Sequence, residues 1–122
     1  MTSYDDAVQR YFAAWNAATP EELEKAVAEA FTEDATYIDP LADVRGHDEL
    51  ATAISGVQQQ FPGFAFRPAG AVDGHHSLVR FSWELVAAAD GSAPVAGSDV
   101  ITLADDGRIS SVSGFLDRVP AV

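Results

Sequence analysis

Residues 95–118 read VAGSDVITLADDGRISSVSGFLDR, which is two alternating segments joined by a tight turn. Apart from Asp99, every second residue of 95–103 is apolar or glycine, and a similar alternation runs through 108–118. Between the segments, an Asp-Gly pair at 106–107 tolerates the positive backbone φ angles that tight β-turns require. The stretch therefore predicts an antiparallel hairpin with one face of each strand directed into the protein.

Asp99 is the one charged residue in its inward row. The rest of that row is apolar or glycine: Val95, Gly97, Ile101 and Leu103. A core-facing carboxylate is costly unless it is paired, protonated or open to a cavity, and no basic residue shares this face. We therefore expect Asp99 to be protonated or to lie at a pocket; the alternative is a register shifted by one residue, which would turn it to solvent. On the partner strand, Val112 and Gly114 face inward, and Gly114 leaves interior space.

Two further strands precede this hairpin, at 64–72 and 77–88. Asp-Gly turn signals at 73–74 and 90–91 separate the strands. Alternation in the second of them directs four apolar side chains inward: Val79, Phe81, Trp83 and Leu85. The carboxyl-terminal half of the chain thus predicts a four-stranded antiparallel meander.

Helical spacing of apolar residues marks three earlier segments, around 4–15, 20–31 and 47–61. Between the second and third, a short strand ends at Asp39, and 41–46 is predicted to be irregular. Runs of helices followed by runs of strands are typical of an α+β domain. We expect three helices packed on one face of a curved, mostly antiparallel sheet.

The composition fits one domain spanning 1–122. The 122 residues carry a formal net charge of -12 and contain no cysteine. The negative charge disfavours nucleic acid and anionic membranes as partners. Because neither a secretory signal nor an apolar run of about 20 residues is present, we expect a cytoplasmic protein.

Further candidates for a site lie on the first helix and the first strand. Tyr11 and Trp15 are one helical turn apart and share a face. Both are typical core residues, but each has a polar group that needs a partner when buried. Asp39 precedes Pro40, a pattern that indicates a turn, and Tyr37 shares its face.

Two stretches resemble the ketosteroid isomerases of the nuclear-transport-factor-2-like superfamily. The first is FTEDATYIDP at 31–40, followed by Arg45-Gly46 and a helix. The second is GSDVITLADDGRI at 97–109. The order of helices and strands is similar to the same superfamily, and the late-strand aspartate also resembles that of the SnoaL-type polyketide cyclases.

The resemblance implies a cone-shaped α+β fold and a single SnoaL-like domain. It makes Asp39 the general base and Asp99 a protonated group in the oxyanion hole, with Tyr11 as the second donor by its Arg-Tyr pair or Trp15 by gap-free spacing. The predicted substrate-binding residues come from the inward faces of the helices and strands: Trp15, Tyr37, Phe61, Phe81, Trp83, Val112 and Gly114. The expected activity is that of a cofactor-independent isomerase or cyclase, with no metal, acting on a small hydrophobic carbonyl compound such as a polyketide or steroid-like ring. A homodimer through the sheet face is expected.

Two other readings stay open at this point. One is a non-catalytic module that binds a small apolar ligand or supports dimerisation. The other is an epoxide-hydrolase-like site, which needs an inward arginine between two acids. Arg80 alternates with the apolar row of its strand and is predicted to point outward, which disfavours that reading.

Overall fold

Residues 3–120, the part of the chain that this computed structural model describes, form three helices and seven strands. The elements are α1 (Ser3–Trp15), α2 (Pro20–Ala30), β1 (Phe31–Asp39), β2 (Ala42–Arg45), α3 (Gly46–Gln60), β3 (Phe64–Pro68), β4 (Asp73–His75), β5 (Leu78–Ala87), β6 (Val95–Leu103) and β7 (Ile109–Arg118). The predicted α+β class and the three helices are confirmed.

The strands form one curved sheet in the order β2-β1-β7-β6-β5-β3. The short β4 pairs with the start of β5, and β3 pairs with its end. Neighbouring strands are antiparallel except for β1 and β7, which are parallel. The predicted meander of β3, β5, β6 and β7 is therefore present. The parallel contact with β1 brings the first strand beside the last.

Two segments differ from the prediction. The stretch predicted to be irregular contains β2, which pairs with β1 because the Asp39 carboxylate accepts hydrogen bonds from Leu41 N and Ala42 N and closes a tight turn. The strand predicted over 64–72 ends at Pro68, and the predicted turn at 73–74 forms the short β4 instead. There the Asp73 carboxylate pairs with the Arg80 guanidinium across the two strands at 3.0 Å.

The register of the central hairpin is the one that alternation predicts. Asp99 lies opposite Phe81 on β5 and Gly114 on β7, and its side chain is buried. The inner face of the sheet, meaning the face that packs against the helices, carries the apolar rows of β5, β6 and β7. Tyr11, Phe12 and Trp15 of α1 are buried against it.

The outer face of the sheet is mixed. Ser82 and Ser98 hydrogen-bond to each other, and Ser98 Oγ donates to Asp117 at 2.6 Å. Phe115 and Ile38 are 61% and 51% exposed on this face. None of the three helices described has both the length and the hydrophobicity needed to cross a membrane.

Candidate active site

Asp99 and Tyr11 form a hydrogen-bonded pair in the core. The Tyr11 hydroxyl donates to Asp99 Oδ2 at 2.8 Å, and the two residues are only 3% and 2% exposed. The other oxygen, Asp99 Oδ1, lies 2.7 Å from the position that a Cβ at residue 114 would occupy. Gly114 is therefore the space that admits the carboxyl group.

This environment favours the neutral form of Asp99. Burial, the largest cause, raises the pKa of Asp99 to about 7, and the nearby charges of Asp39 and Asp117 add to the rise. Hydrogen bonding from Tyr11 and the Trp83 indole opposes it. Burial, followed by the charge of Asp99, also raises the pKa of Tyr11 well above its usual range. The phenol thus stays a donor.

Asp39 and Tyr37 form a second pair at the end of β1. The Tyr37 hydroxyl donates to Asp39 Oδ2 at 2.5 Å, while Oδ1 accepts from the backbone N–H groups of Leu41 and Ala42 at 2.8 Å each. Burial, and then the bond to Asp39, raise the pKa of Tyr37. Tyr11 opposes that rise, which indicates that the two phenol groups lie close to each other.

Asp39 and Asp99 both pack against Gly114. Asp39 Cβ lies 3.3 Å from the same absent Cβ position that Asp99 Oδ1 approaches at 2.7 Å. The strand pairing explains this convergence, because β7 lies between β1 and β6 and Gly114 is the residue opposite Asp99. The Asp99–Tyr11 pair therefore lies on one side of Gly114 and the Asp39–Tyr37 pair on the other.

A cavity of about 250 Å³ opens beside Asp39, between the ends of α1 and α3 and the sheet. Five of the predicted site residues line it: Trp15, Tyr37, Asp39, Phe61 and Trp83. The remaining lining residues are apolar except for one amide: Leu41, Val57, Gln60, Phe66, Leu85, Val95, Leu116, Val119 and Pro120.

The other predicted site residues lie behind the cavity wall. Tyr11, Asp99, Phe81, Val112 and Gly114 are buried and do not line the cavity. Phe81 packs edge to face against Tyr11, with ring centroids 5.1 Å apart. Asp99 and Tyr11 thus form a layer beneath Tyr37 and Asp39.

Several lining residues were not predicted to bind substrate. For Leu85 and Val95 the signal is present, because they belong to the inward rows of their strands. Leu116 continues the alternation of Val112 and Gly114 on β7 and could have been found in the same way. Leu41 lies between β1 and β2, and Val119 and Pro120 follow β7, so no periodicity exists to place them.

Trp15 has an unusual feature. Its indole Nε1 is the one buried side-chain nitrogen or oxygen in the described part of the chain with no hydrogen-bond partner. The ring packs between Tyr37 and Phe66, at centroid distances of 5.7 Å and 5.1 Å. The indole opposes the rise in the Tyr11 pKa, so it faces the Tyr11 hydroxyl without bonding to it.

Trp83 is held in place by a second glycine. A Cβ at Gly97 would lie 2.3 Å from the Trp83 ring, so the indole lies flat against the backbone of β6. Arg80, by contrast, points outward to Asp73, as predicted. Residues 3–120 contain no group of three or more metal-ligating side chains.

The geometry defines a class of protein: an α+β domain in which helices and a curved sheet enclose one apolar cavity with a carboxyl group at its edge. The chain matches the SnoaL-like domain family over residues 8–112. It therefore belongs to the SnoaL-like domain family. No curated protein matches it significantly.

Three solved structures illustrate the relationship. A proposed isomerase of the SnoaL-like family from Agrobacterium tumefaciens C58 is 41% identical, with a TM-score of 0.90 over 96% of this chain and 99% of that one. A proposed SnoaL-like polyketide cyclase from Jannaschia sp. CCS1 is 20% identical, with a TM-score of 0.76 over 94% and 85%. A proposed polyketide cyclase from Sinorhizobium meliloti is 20% identical, with a TM-score of 0.69 over 96% and 100%. The two cyclase matches show the shared nuclear-transport-factor-2-like fold alone.

Proposed function

We propose that this protein catalyses proton transfer next to the carbonyl group of a small hydrophobic compound, as an isomerase or a cyclase. The observation that carries the proposal is the pair of aspartates that pack against Gly114. One of them, Asp39, lines an apolar cavity, and the other, Asp99, is buried with a raised pKa. Sites that separate two carboxyl groups in this way can use one as a base and keep a proton on the other.

In this mechanism Asp39 is the general base. A ketone bound in the cavity presents the carbon next to its carbonyl to Asp39 Oδ2. The carboxylate takes the proton while the C–H electron pair forms the enolate double bond and negative charge moves to the oxygen. Returning the proton to another carbon gives an isomer, and attack of the enolate on a second carbonyl closes a ring.

Tyr37 and Tyr11 together stabilise the negative charge on the ligand oxygen. Tyr37 lines the cavity, and Tyr11 lies beneath it, hydrogen-bonded to Asp99. A neutral Asp99 can donate its proton to the Tyr11 oxygen, which frees the Tyr11 O–H to donate to Tyr37 and the Tyr37 O–H to donate to the ligand oxygen. Donors fixed in a site without bulk water typically contribute a hundredfold or more to such reactions. Asp99 then acts through Tyr11.

The test uses deuterium exchange of 2-tetralone, a two-ring ketone with acidic protons next to its carbonyl. In D₂O the protein should accelerate loss of these proton signals in the NMR spectrum, and Asp39→Asn should remove about 10²–10⁴-fold of the acceleration. Asp43→Asn is the matched control, because Asp43 is an exposed acid on neighbouring β2. Wild-type acceleration in Asp39→Asn would overturn the proposal.

A second candidate is a pocket that binds a ligand without reaction. It is favoured by the engagement of both Asp39 oxygens inside the protein, on Tyr37 and on two backbone N–H groups. It is disfavoured by the raised pKa of Asp99, which has no ion-pair partner among the described residues. Binding of 2-tetralone with no accelerated exchange in the wild type would support this candidate.

We also propose that the outer face of the sheet pairs with a second copy of the chain. Phe115 and Ile38 are exposed there, and the neighbouring serine and aspartate groups already bond to one another. Phe115→Asp should convert a dimer to a monomer in sedimentation experiments. A wild-type protein that stays monomeric at high concentration would contradict the pairing. A cytoplasmic location stays a prediction from the sequence.

A further inference from the structure

A second cavity, of about 280 Å³, lies next to the cavity beside Asp39. Its rim includes Ala18, between α1 and α2, and Gly63, between α3 and β3, and both of these residues are exposed. The rim of the cavity beside Asp39 includes Leu41 and Pro120 instead. The two cavities therefore open at different places on the surface.

The two cavities share one wall. Five residues line both of them: Trp15, Val57, Phe61, Phe66 and Leu85. Because the same residues face both spaces, a single layer of residues separates the cavities.

Phe61 is the least constrained aromatic residue of this shared wall. It directly follows α3, has a non-helical backbone and is half-buried. Among residues 3–120 its ring packs only against the Phe64 ring, with centroids 5.6 Å apart. Phe66, by contrast, packs against both Trp15 and Trp83. Rotation of the Phe61 side chain is thus the smallest change that would join the two spaces.

The outer walls of the second cavity are held by side-chain amides. Gln58 Nε2 donates to Trp15 O and to Ala17 O at 2.9 Å each. Asn16 Nδ2 donates to Phe66 O at 2.9 Å, and Asn16 Oδ1 accepts from Phe66 N at 2.8 Å. No charged side chain lines this cavity, so the part of a ligand that enters it is uncharged.

The size of the cavity beside Asp39 indicates that it is one part of a larger site. Its volume of about 250 Å³ has room for about eight non-hydrogen atoms, since each water in the liquid occupies roughly 30 Å³. Pockets for drug-sized molecules typically begin at about 300 Å³. Each cavity alone is below that size, and the two together exceed it.

We propose that the ligand is an elongated, uncharged carbonyl compound whose apolar tail extends past Phe61 into the second cavity. This rests on the proposed function only in placing the carbonyl end beside Asp39. It adds the length of the ligand and a binding site for its tail.

A series of straight-chain ketones tests the length. A molecule of 2-heptanone has eight non-hydrogen atoms and fills the cavity beside Asp39, whereas 2-undecanone has four more methylene groups. Dissociation constants come from titration of the tryptophan fluorescence. Each added methylene group that enters an apolar cavity should tighten binding about fourfold. Equal affinities for the two ketones overturn the proposal.

Two variants test where the tail lies. Ala17 is half-buried and lines the second cavity alone, so Ala17→Phe should remove the gain in affinity from 2-heptanone to 2-undecanone. Ala13→Phe is the matched control, because Ala13 is exposed on α1 and lines neither cavity, and it should keep the gain. A gain that persists in both variants would mean that the tail leaves past Leu41, which overturns the proposal.

An NMR measurement on the wild type does not depend on the folding of a variant. In a sample with ¹³C-labelled alanine methyl groups, 2-undecanone should shift the Ala17 signal and 2-heptanone should not. Ala17→Ser assigns that signal. An Ala17 signal that 2-undecanone leaves unmoved overturns the tail site.

This proposal and the proposed function can fail separately, because one is tested by binding and the other by deuterium exchange of 2-tetralone. A gain with chain length and a shifted Ala17 signal, without accelerated exchange, refute the catalytic function and keep the tail site. Accelerated exchange without a gain does the reverse.

Discussion

Asp39 and Asp99 flank the same glycine but differ in what surrounds them. Three donors face Asp39, which is half-buried at the cavity, whereas Asp99 is 2% exposed and faces the Tyr11 phenol and the Trp83 indole. The two residues pack against the same glycine and yet differ in burial and in hydrogen bonding. Identical side chains thus acquire opposite roles, one suited to accept a proton and the other to keep one.

Replacing each carboxyl group by a neutral side chain tests the difference between the two residues most directly. We expect Asp39→Asn and Asp99→Leu both to abolish catalysed deuterium exchange, with losses of about a hundredfold or more. Asp99→Asn should lose much less below pH 7, because an amide imitates the neutral carboxyl group towards Tyr11. Equal rates for Asp99→Asn and Asp99→Leu would mean that the bond to Tyr11 is irrelevant.

Stability should separate the same two residues. The pKa of Asp99 is raised to about 7 from 3.8, so the folded state binds the proton more tightly than the unfolded state. The stability of the wild type should therefore fall as pH rises from about 4 to 7 and stay level above. Asp99→Asn removes this loss, which predicts a gain on the order of a few kcal/mol at pH 8 and little change at pH 4.

Urea denaturation at the two pH values measures the effect. Asp43→Asn serves as the control for a change of net charge, because Asp43 is exposed. A gain for Asp99→Asn that is the same at both pH values would contradict the linkage to this carboxyl group.

The glycine between the carboxyl groups offers the next test. Gly114→Ala brings a methyl group to 2.7 Å from Asp99 Oδ1 and 3.3 Å from Asp39 Cβ, and we expect it to cost about 1–3 kcal/mol in unfolding free energy. Gly56→Ala is the matched control, since no heavy atom lies within 4 Å of its new methyl group on α3. That change should stabilise by about 0.5–1 kcal/mol. A neutral Gly114→Ala would show that the two groups are not packed against this position.

The smallest expected effect concerns the phenol. The hydrogen bond from Tyr11 lowers the pKa of Asp99, so Tyr11→Phe should raise that pKa further. NMR titration of the labelled Asp99 carboxyl carbon reports it. A lower pKa in Tyr11→Phe would mean that the hydroxyl accepts from a protonated Asp99 and does not donate to a charged one.

The sequence pattern alone predicts the position of Asp99, whereas it does not mark Asp39 as a site residue. Asp99 follows from strict two-residue alternation, with the register set by the Asp-Gly turn after β6. Asp39 looks like an ordinary turn residue, and its carboxylate does close a turn; only the resemblance marked it as a base. The side chain can be both a turn residue and a candidate base, because Oδ1 closes the turn and Oδ2 lies beside Tyr37 at the cavity.

Hydrophobic periodicity could not predict three other features: the depth of inward residues, the short β2 and the rim of the cavity. Alternation tells which face of a strand a residue occupies, but not how deep it lies, so Phe81 and Val112 were assigned to the cavity although they lie behind its wall. The short β2 carries too few residues for a periodic signal. The cavity rim at Leu41 and Val119 depends on where chain segments leave the sheet, which local sequence does not determine.

The parallel contact between β1 and β7 has a consequence for folding. The hairpin of β6 and β7 joins neighbours in sequence and can form early, whereas β1 must find β7 across more than half of the chain. Contacts between distant segments form slowly because loop closure costs entropy before any contact is made. Asp99 and Gly114 can therefore be in place before Asp39 arrives, so the cavity is completed late in folding, with the closure of β1 onto β7.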